Sequence, residues 1–107
     1  MAIEHDALLM RIYLSESRYR RRIVEAMLEH GLRGAAAFKG IGGFGASRRI
    51  ASERAVEALA DLPVVIEVVD DEEKVRAFVP VLEALLGDGL VTLERIQRVI
   101  YRTGARA

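Results

Sequence analysis

Hydrophobic residues follow a two-residue period early in the chain, where apolar side chains occupy every second position from 8 to 14. This alternation predicts a strand with one face on a core. A nearly continuous run of Val and Ile from 62 to 69 predicts an interior strand. We expect two further strands, one at 34–39, although alanine is a poor strand former, and one at 90–101, as one bent strand or two short ones.

A period of three to four residues predicts two helices. The first helix should follow a cap at Ser15 or Ser17, and Gly31 lies where a left-handed residue would end it. His30, in the last turn of this pattern, is expected to make a capping or dipole contact rather than to act as a general base.

The second helix has the clearest pattern, because apolar residues recur at steps of three and four from 75 to 86. Asp70 and Glu73 resemble a capping box at its start, and Gly87 should end it. Pro80 lies inside the helix and lacks a backbone donor, so we expect a kink there. The acidic residues around its start are interpreted as solvated partners of the helix dipole rather than as a metal site.

These elements follow the order β-α-β-β-α-β, which predicts an α+β fold, the ferredoxin-like sandwich, with an antiparallel sheet and two helices on one face. We expect residues 1–107 to form one domain, in which residues 40–60 are a mobile connection. The strands at 62–69 and 90–101 carry apolar residues on both sides. Another subunit is therefore expected to cover the second face of the sheet.

Composition narrows the classes of function. The 107 residues include 16 basic and 16 acidic side chains, so the chain has no overall charge that would favour nucleic acid. Cysteine is absent, which excludes disulfides and thiolate chemistry. Metal-ligand spacing is also absent, and neither His30 nor His5, in a start expected to fray, has an obvious catalytic partner, so we do not expect an enzyme.

The chain contains no apolar stretch of the roughly 20 residues that a membrane helix needs. Its first residues also lack the basic and then apolar pattern of a signal peptide. A cytoplasmic location is therefore expected.

A glycine-rich segment follows the second predicted strand. The glycines between 40 and 45 formally match G-x-G-x-x-G, but the chain is too short for a doubly wound sheet, so we reject a Rossmann site. Two interpretations remain. Glycine could simply avoid steric strain in a surface loop, or the backbone amides could form a nest for an anion, with Lys39, Arg48 or Arg49 adding charge.

Two short motifs in the second half of the chain favour the anion nest. Residues 87–89 are Gly-Asp-Gly and follow the second helix, and residues 102–104 are Arg-Thr-Gly and close the last strand. The first motif alone is most often a helix stop and a tight turn. In their order and position, however, the two motifs and the upstream glycine segment resemble the PII family of trimeric signalling proteins. The segment 40–47 is most similar to an uncharacterised PII-like family.

The resemblance implies a homotrimer with a nucleotide cleft between subunits. The Gly-Asp-Gly turn would present backbone amides to phosphate groups, and the arginine would contact phosphate oxygens through charge-assisted hydrogen bonds. The residues expected to bind the ligand are Lys39, Gly40, Gly42, Gly43, Phe44, Gly45, Gly87, Asp88, Gly89 and Arg102. The residues expected to contact a protein target, such as a membrane transporter or an enzyme, are Ser47, Arg48 and Arg49.

The chain departs from the PII pattern at several positions. The lysine that follows Gly-Asp-Gly in that family is Leu90 here, and one of the two tail arginines corresponds to Ile100. The connecting segment contains no tyrosine, so uridylylation cannot act on it. Because fewer phosphate contacts remain, AMP, ADP or another small anion is as plausible a ligand as ATP, and no other cofactor is expected.

The leading hypothesis is a PII-like trimer that binds an adenine nucleotide or a similar anion and presents residues 40–60 to a protein target. A second hypothesis is an oligomeric scaffold that docks on a transporter or an enzyme without any ligand. A third is RNA binding through the arginines at 18–22, although we expect these to be solvated side chains that pair with Glu25.

Overall fold

The computed structural model describes residues 2–44, 51–52 and 61–102. The strands of its main sheet are β1 (Ala2–Ser15), β2 (Ala36–Lys39), β5 (Pro63–Asp70) and β6 (Leu90–Tyr101). A separate two-stranded ribbon pairs β3 (Gly42–Gly43) with β4 (Ala51–Ser52). The helices are α1 (Arg21–Glu29) and α2 (Glu72–Leu86). The main sheet is antiparallel, and its strand order is β2-β5-β1-β6.

The predicted ferredoxin-like sandwich is confirmed, because the four main strands and two helices follow one another in the expected order. The strand rich in Val and Ile, β5, lies inside the sheet between β1 and β2. The last apolar run forms one continuous strand, β6, which resolves the choice between one strand and two.

The core lies between the sheet and the two helices. Alternate side chains of β1 and β5 point into it, including the fully buried Met10, Ile12 and Ile66. Both helices contribute apolar side chains, of which Ile23 from α1 and Phe78 from α2 are almost completely buried. Burial of each such side chain stabilises the fold by about 1.5–3 kcal/mol. The apolar periods of the strands and helices therefore determine which face of each element packs on the core.

The opposite face of the sheet, which we call the open face, carries the alternate residues of the same strands. Tyr13 and Val69 are each 38% exposed there, and Phe38 on β2 is 54% exposed. Arg11 and Glu67 are directly opposed across β1 and β5, and their ion pair has an Nε–Oε2 distance of 2.8 Å. The open face therefore carries exposed apolar side chains around one ion pair, and on β6 the polar Thr92 and Glu94 lie opposite Arg11 and Leu9.

β1 begins earlier than the alternating pattern indicated. The segment from Ala2 to Ala7 pairs with β6 from Ile96 to Tyr101, although pairing between β1 and β5 starts only at Leu8. The two strands therefore form an extension beyond the rest of the sheet, which we call the β1–β6 arm. The expectation of a frayed start at His5 is wrong, because long-range pairing with β6 holds this segment in a strand.

The start of α1 also differs from the prediction. Neither Ser15 nor Ser17 caps the helix, which begins at Arg21 after an extended Arg20 that makes no side-chain cap hydrogen bond. Ser17 instead donates its backbone amide and its hydroxyl to Asp61, at 2.7 and 2.6 Å. Ser17 is therefore bonded to a residue 44 positions further along the chain and does not cap α1.

The end of α1 agrees with the prediction for His30. Its Nδ1 atom lies 2.9 Å from the carbonyl oxygen of Ala26, so the ring donates to the last turn of the helix. The ring also packs edge-on against Phe78, with 5.6 Å between centroids. Gly31 has φ +80°, the left-handed conformation expected after a helix. The capping interpretation of His30 is confirmed.

Asp70 is a buried acceptor of two backbone hydrogen bonds rather than part of a capping box. Its carboxylate is fully buried and accepts the backbone N–H groups of Arg33 at 2.9 Å and Asp71 at 2.7 Å. Burial raises the pKa of Asp70, but these two hydrogen bonds outweigh it and hold that pKa below its ordinary value. The residue before α2 is Asp71, and the idea that the acidic residues here are all solvated is wrong for Asp70.

The remaining part of α2 follows its pattern. The helix continues through Pro80 and ends at Gly87, which has φ +70°. The mobility expected for the segment 40–60 stays a prediction. Within this segment β3 pairs with β4, although glycine and small residues carry no strand signal in the sequence. Residues 45–50 and 53–60 of this segment lie outside the described part of the chain.

Candidate ligand site at one end of the sheet

The predicted site residues of three segments lie at the same end of the sheet, although β2 and β6 are its two outer strands. Because the strands are antiparallel, β1 and β2 end where β5 and β6 begin, as the pairing of Lys39 with Val64 and of Tyr13 with Leu90 shows. We call this the glycine end. It contains the end of β2, the glycines that follow it, and the turn between α2 and β6.

Gly40 is placed by a close approach to Pro63. Its amide donates to the carbonyl oxygen of Pro63 at 2.7 Å, and a Cβ atom on residue 40 would lie 2.7 Å from Pro63 Cγ. Gly43 follows with φ +144° and packs near the same proline. Glycine is therefore needed here for packing, whether or not a ligand binds.

The turn at 87–89 has an equally clear structural basis. Gly87 is left-handed at φ +70° and ends α2. A Cβ atom on Gly89 would lie 3.0 Å from Leu86 Cδ2 and 3.2 Å from the carbonyl oxygen of Tyr13. The helix stop and the tight turn are thus confirmed, and the binding of phosphate groups stays a prediction.

One short turn connects the parts of the glycine end. Its three consecutive residues, Glu16 to Arg18, each contact a different segment, and we call it the 16–18 turn. The Glu16 carboxylate pairs with Lys39 Nζ at 3.3 Å, Ser17 binds Asp61 through two hydrogen bonds, and Arg18 Nη2 lies 3.2 Å from Asp88 Oδ2. The Ser17 hydroxyl lowers the pKa of Asp61, against a weaker effect of desolvation.

Arg18 and Asp61 were missing from the predicted site. Arg18 Nη1 lies 3.5 Å from the position that a Cβ atom would take on Gly87, so its guanidinium group covers the glycine turn. In the sequence, Arg18 stands out only as part of a basic run. No local pattern connects residue 18 with residues 87–88, because their contact depends on where β1 ends relative to α2.

The basic run at 18–22 is engaged within the chain. Arg21 pairs with Glu25 at 3.3 Å, and Arg22 pairs with Glu29 at 2.7 Å. Arg20 donates to the carbonyl oxygens of Ser17 and Tyr19. The predicted pairing of this run with Glu25 is confirmed for Arg21, and Arg22 pairs one helical turn further along.

Arg102 lies at the other end of the sheet. Tyr101, just before it, pairs with Ala2, whereas Leu90 at the start of β6 pairs with Tyr13. A strand of 12 residues spans about 40 Å, so Arg102 and the turn at 87–89 cannot contact one small ligand within one chain. Phe44 is exposed beyond the ribbon. The remaining predicted residues, Gly45, Ser47, Arg48 and Arg49, lie outside the described residues.

Two other kinds of feature are absent from the described residues. No group of three or more His, Asp or Glu side chains there has an arrangement that could hold a metal ion. Within the same residues, neither helix is long and apolar enough to span a membrane.

The strand order and the two helices on one face make this a ferredoxin-like α+β sandwich, a fold that it shares with PII-like proteins of known structure. One structure with this fold is CPII, a nitrogen regulatory PII-like protein of Thiomonas intermedia K12 bound to ADP, AMP and bicarbonate. It has a TM-score of 0.64 and 19% identity, over 90% of this chain and 91% of CPII. A PII-like signalling protein of Thermus thermophilus has a TM-score of 0.61 and 17% identity, over 91% of each chain.

The chain belongs to the DUF190 family, described as Uncharacterized ACR, whose model matches residues 7–98. A UPF0166 protein of Aquifex aeolicus is 37% identical in an alignment 101 positions long, gaps included, which covers 87% of this chain and 92% of that protein. A UPF0166 protein of Methanocaldococcus jannaschii is 32% identical in an alignment 94 positions long, gaps included, which covers 81% of this chain and 86% of that protein. The predicted membership of an uncharacterised family is confirmed, and the predicted likeness to PII-like proteins is confirmed for the fold.

Proposed function

We propose that this protein is a trimeric, cytoplasmic, non-enzymatic regulator that binds an adenine nucleotide or a similar small anion between subunits. In this proposal residues 40–60 contact a protein target, and ligand binding changes that contact. The observation that carries the proposal is the shared fold with CPII, which is described as bound to ADP, AMP and bicarbonate.

The positions of the predicted residues support a site between subunits. The glycine end offers backbone amides near 87–89, whereas Arg102 lies about 40 Å away along β6. A second copy is the simplest way to bring both onto one ligand. The open face gives such a copy an apolar surface, on which Tyr13, Phe38 and Leu90 are exposed.

The charge of the glycine end favours a ligand with few phosphates. Leu90, 62% exposed, stands where PII proteins have a lysine, so one cation is missing. Lys39 and Arg18 remain nearby, each paired with an exposed carboxylate. Such pairs contribute little to stability and can exchange their carboxylate for a phosphate group. AMP, ADP or bicarbonate therefore fits the site better than ATP.

The same ion pairs favour a second candidate function. If Lys39 and Arg18 keep their carboxylate partners, the glycine end has no free cation among these two side chains, and a small anion gains little there. The protein would then be an oligomeric scaffold that docks on a target without a ligand. We expect no nucleic acid partner, since the 16 basic and 16 acidic side chains leave the chain without a net positive charge.

Thermal unfolding in the presence of AMP, ADP, ATP, cyclic AMP and bicarbonate separates the two functions. A ligand at about 100 times its Kd stabilises the folded state by about 2.7 kcal/mol. A shift with one ligand that is lost in Arg102→Ala, together with a trimer in sedimentation analysis, supports the regulator. Arg21→Ala, which removes one arginine charge from the surface of α1, is the control. No shift with any of these ligands supports the scaffold.

A further inference from the structure

Arg18 is a half-exposed cation whose guanidinium group lies against a glycine turn. Nη1 lies 3.5 Å from where a Cβ atom of Gly87 would be, and Nη2 lies 3.2 Å from Asp88 Oδ2. A Cβ atom at residue 87 would be in ordinary van der Waals contact with the guanidinium group, and the positive φ of +70° is what favours glycine there. The turn and the arginine therefore form a single surface made of backbone and one positive side chain.

The contact between Arg18 and Asp88 is easily replaced. The Arg18 side chain is 51% exposed and that of Asp88 is 86% exposed, and pairs in such solvent contact contribute little to stability. A phosphate group offers a guanidinium two parallel hydrogen bonds, which are stronger than one exposed contact. An anion at the turn can therefore displace Asp88 from Arg18 at small cost.

The helix that follows adds to the positive potential. α1 begins three residues after Arg18, and its first turn contains no acidic residue. Helix N-termini carry a partial positive charge that favours anions, and this one has no side-chain cap to neutralise it. Arg18 thus lies between a helix N-terminus and a left-handed glycine turn.

We infer that Arg18 is the cation of the ligand site at the glycine end, where it binds the phosphate group of an adenosine monophosphate or diphosphate. It supplies the positive charge that Leu90 does not. The inference rests on the proposed function and adds a binding residue to it. Asp88 holds Arg18 in place while the site is empty and competes with the ligand for it.

When a ligand displaces Asp88 from Arg18, the 16–18 turn transmits the change to the two residues that flank the segment 40–60. Glu16, two residues before Arg18, holds Lys39 at the end of β2, and Ser17 holds Asp61 before β5. Because the three contacts come from consecutive residues, a backbone movement at Arg18 strains the other two. The coupling therefore involves Lys39 and Asp61, which flank the segment that we propose contacts the target.

Calorimetric titration of ADP and AMP into four proteins tests the binding role. We expect Arg18→Ala to weaken binding by about tenfold to a hundredfold, the usual effect of one hydrogen bond to a charged group. Arg18→Lys should recover part of this loss, because it keeps the charge but not the planar donor pair. Arg21→Ala, which removes a neighbouring charge that pairs with Glu25, should change Kd by less than about twofold.

Asp88→Asn gives a result of opposite sign, since it removes the competing carboxylate, and we expect it to tighten binding by a few fold. If the unaltered protein binds neither ADP nor AMP, this inference is wrong, and the proposed function is wrong as well if ATP, cyclic AMP and bicarbonate also fail to bind. If it binds one of them and Arg18→Ala binds as well as Arg21→Ala, only the inference is wrong.

Amide resonances in nitrogen–proton NMR spectra test the coupling. On saturation with ADP, we expect the amides of Ser17, bonded to Asp61, and Gly40, bonded to Pro63, to shift. The amide of Val75, bonded to Asp71 at the far end of α2, should stay in place. In Arg18→Ala saturated with ADP, the Ser17 and Gly40 shifts should be lost. Shifts of equal size in both proteins would refute the coupling.

Discussion

The two ends of the sheet hold their charges in opposite ways. At the glycine end, the carboxylates of Glu16 and Asp88 form ion pairs in contact with water. At the other end, Asp70 is fully buried, and the side chain of Arg98, which lies near it, is only 11% exposed. We call this second region the Asp70 end. Contacts screened by water are weak and exchangeable, whereas buried ones are costly to break.

The Asp70 end is a closed network. Arg98 donates to Asp71 and, through Nε at 2.7 Å, to His5 Nε2, while its Nη1 lies 3.8 Å from Asp70. Asp70 itself binds two backbone amides, one of which follows α1 and the other precedes α2. The network therefore joins β1, β6, β5 and the ends of both helices. One end of the sheet fixes the fold, and the other end is suited to changing partners.

The largest test of this comparison is to remove one carboxylate from each end. Asp70→Ala leaves two buried N–H donors without an acceptor, and we expect a loss of about 3 kcal/mol or more in the free energy of unfolding. Asp88→Ala removes only an exposed pair and should cost less than about 1 kcal/mol. Urea unfolding measures both. Equal losses would contradict the proposed difference between the ends.

A change of pH perturbs the Asp70 end without a substitution. The pKa of Asp70 in the folded state lies below its ordinary value of about 3.9, so the unfolded chain binds more protons in acid. The stability from this group is present above about pH 4 and is lost as the pH falls through the folded pKa. Arg95 and Arg76 lower the pKa of Glu72 to about 2, which adds in the same direction.

Urea unfolding between pH 6 and pH 2 follows this loss. We expect stability to fall with decreasing pH, and Asp70→Asn should have a flatter profile than the unaltered protein. Asp88→Asn is the control and should keep the original slope. A free energy of unfolding that increases from pH 5 to pH 3 would contradict the expected direction of this pH dependence.

The smallest effects are expected within the glycine end, where Asp61 and Lys39 can be compared. Asp61→Ala removes two short hydrogen bonds from Ser17 and should cost about 1 kcal/mol, measured by urea unfolding. Lys39→Ala removes one exposed pair and should change stability by less than about 0.5 kcal/mol. A loss for Asp61→Ala as large as that for Asp70→Ala would mean that the glycine end also fixes the fold.

Elements whose side chains pack on the core could be predicted from the sequence. The three-to-four-residue period of α2 shows which side of the helix faces the sheet, and Phe78 lies on that side. The alternation in β1 likewise shows which side of the strand faces the helices, and Ile12 lies on it. The ribbon of β3 and β4 could not be predicted. Its pairing uses backbone groups of glycine and small residues, which leave no hydrophobic period.

Contacts between distant residues account for the other differences. Ser17 looked like a helix cap because capping is a local signal, but Asp61 takes both of its donors. Asp70 likewise fits a capping box by spacing, yet it binds the amide of Arg33 across the fold. At the candidate site, the glycines at 87–89 could be located by their spacing and by family resemblance. Arg18 could not, because only the fold brings it to them.

The β1–β6 arm has a consequence for how the chain avoids aggregation. From Ala2 to Ala7, no strand among the described residues pairs with the edge of β1 that faces away from β6. Such an edge is a template on which a foreign strand can grow. Glu4 and Asp6 lie on this stretch, and charged side chains on an edge oppose the stacking of one molecule on another. Replacing both with threonine would remove this protection and favour fibrous self-association through the arm.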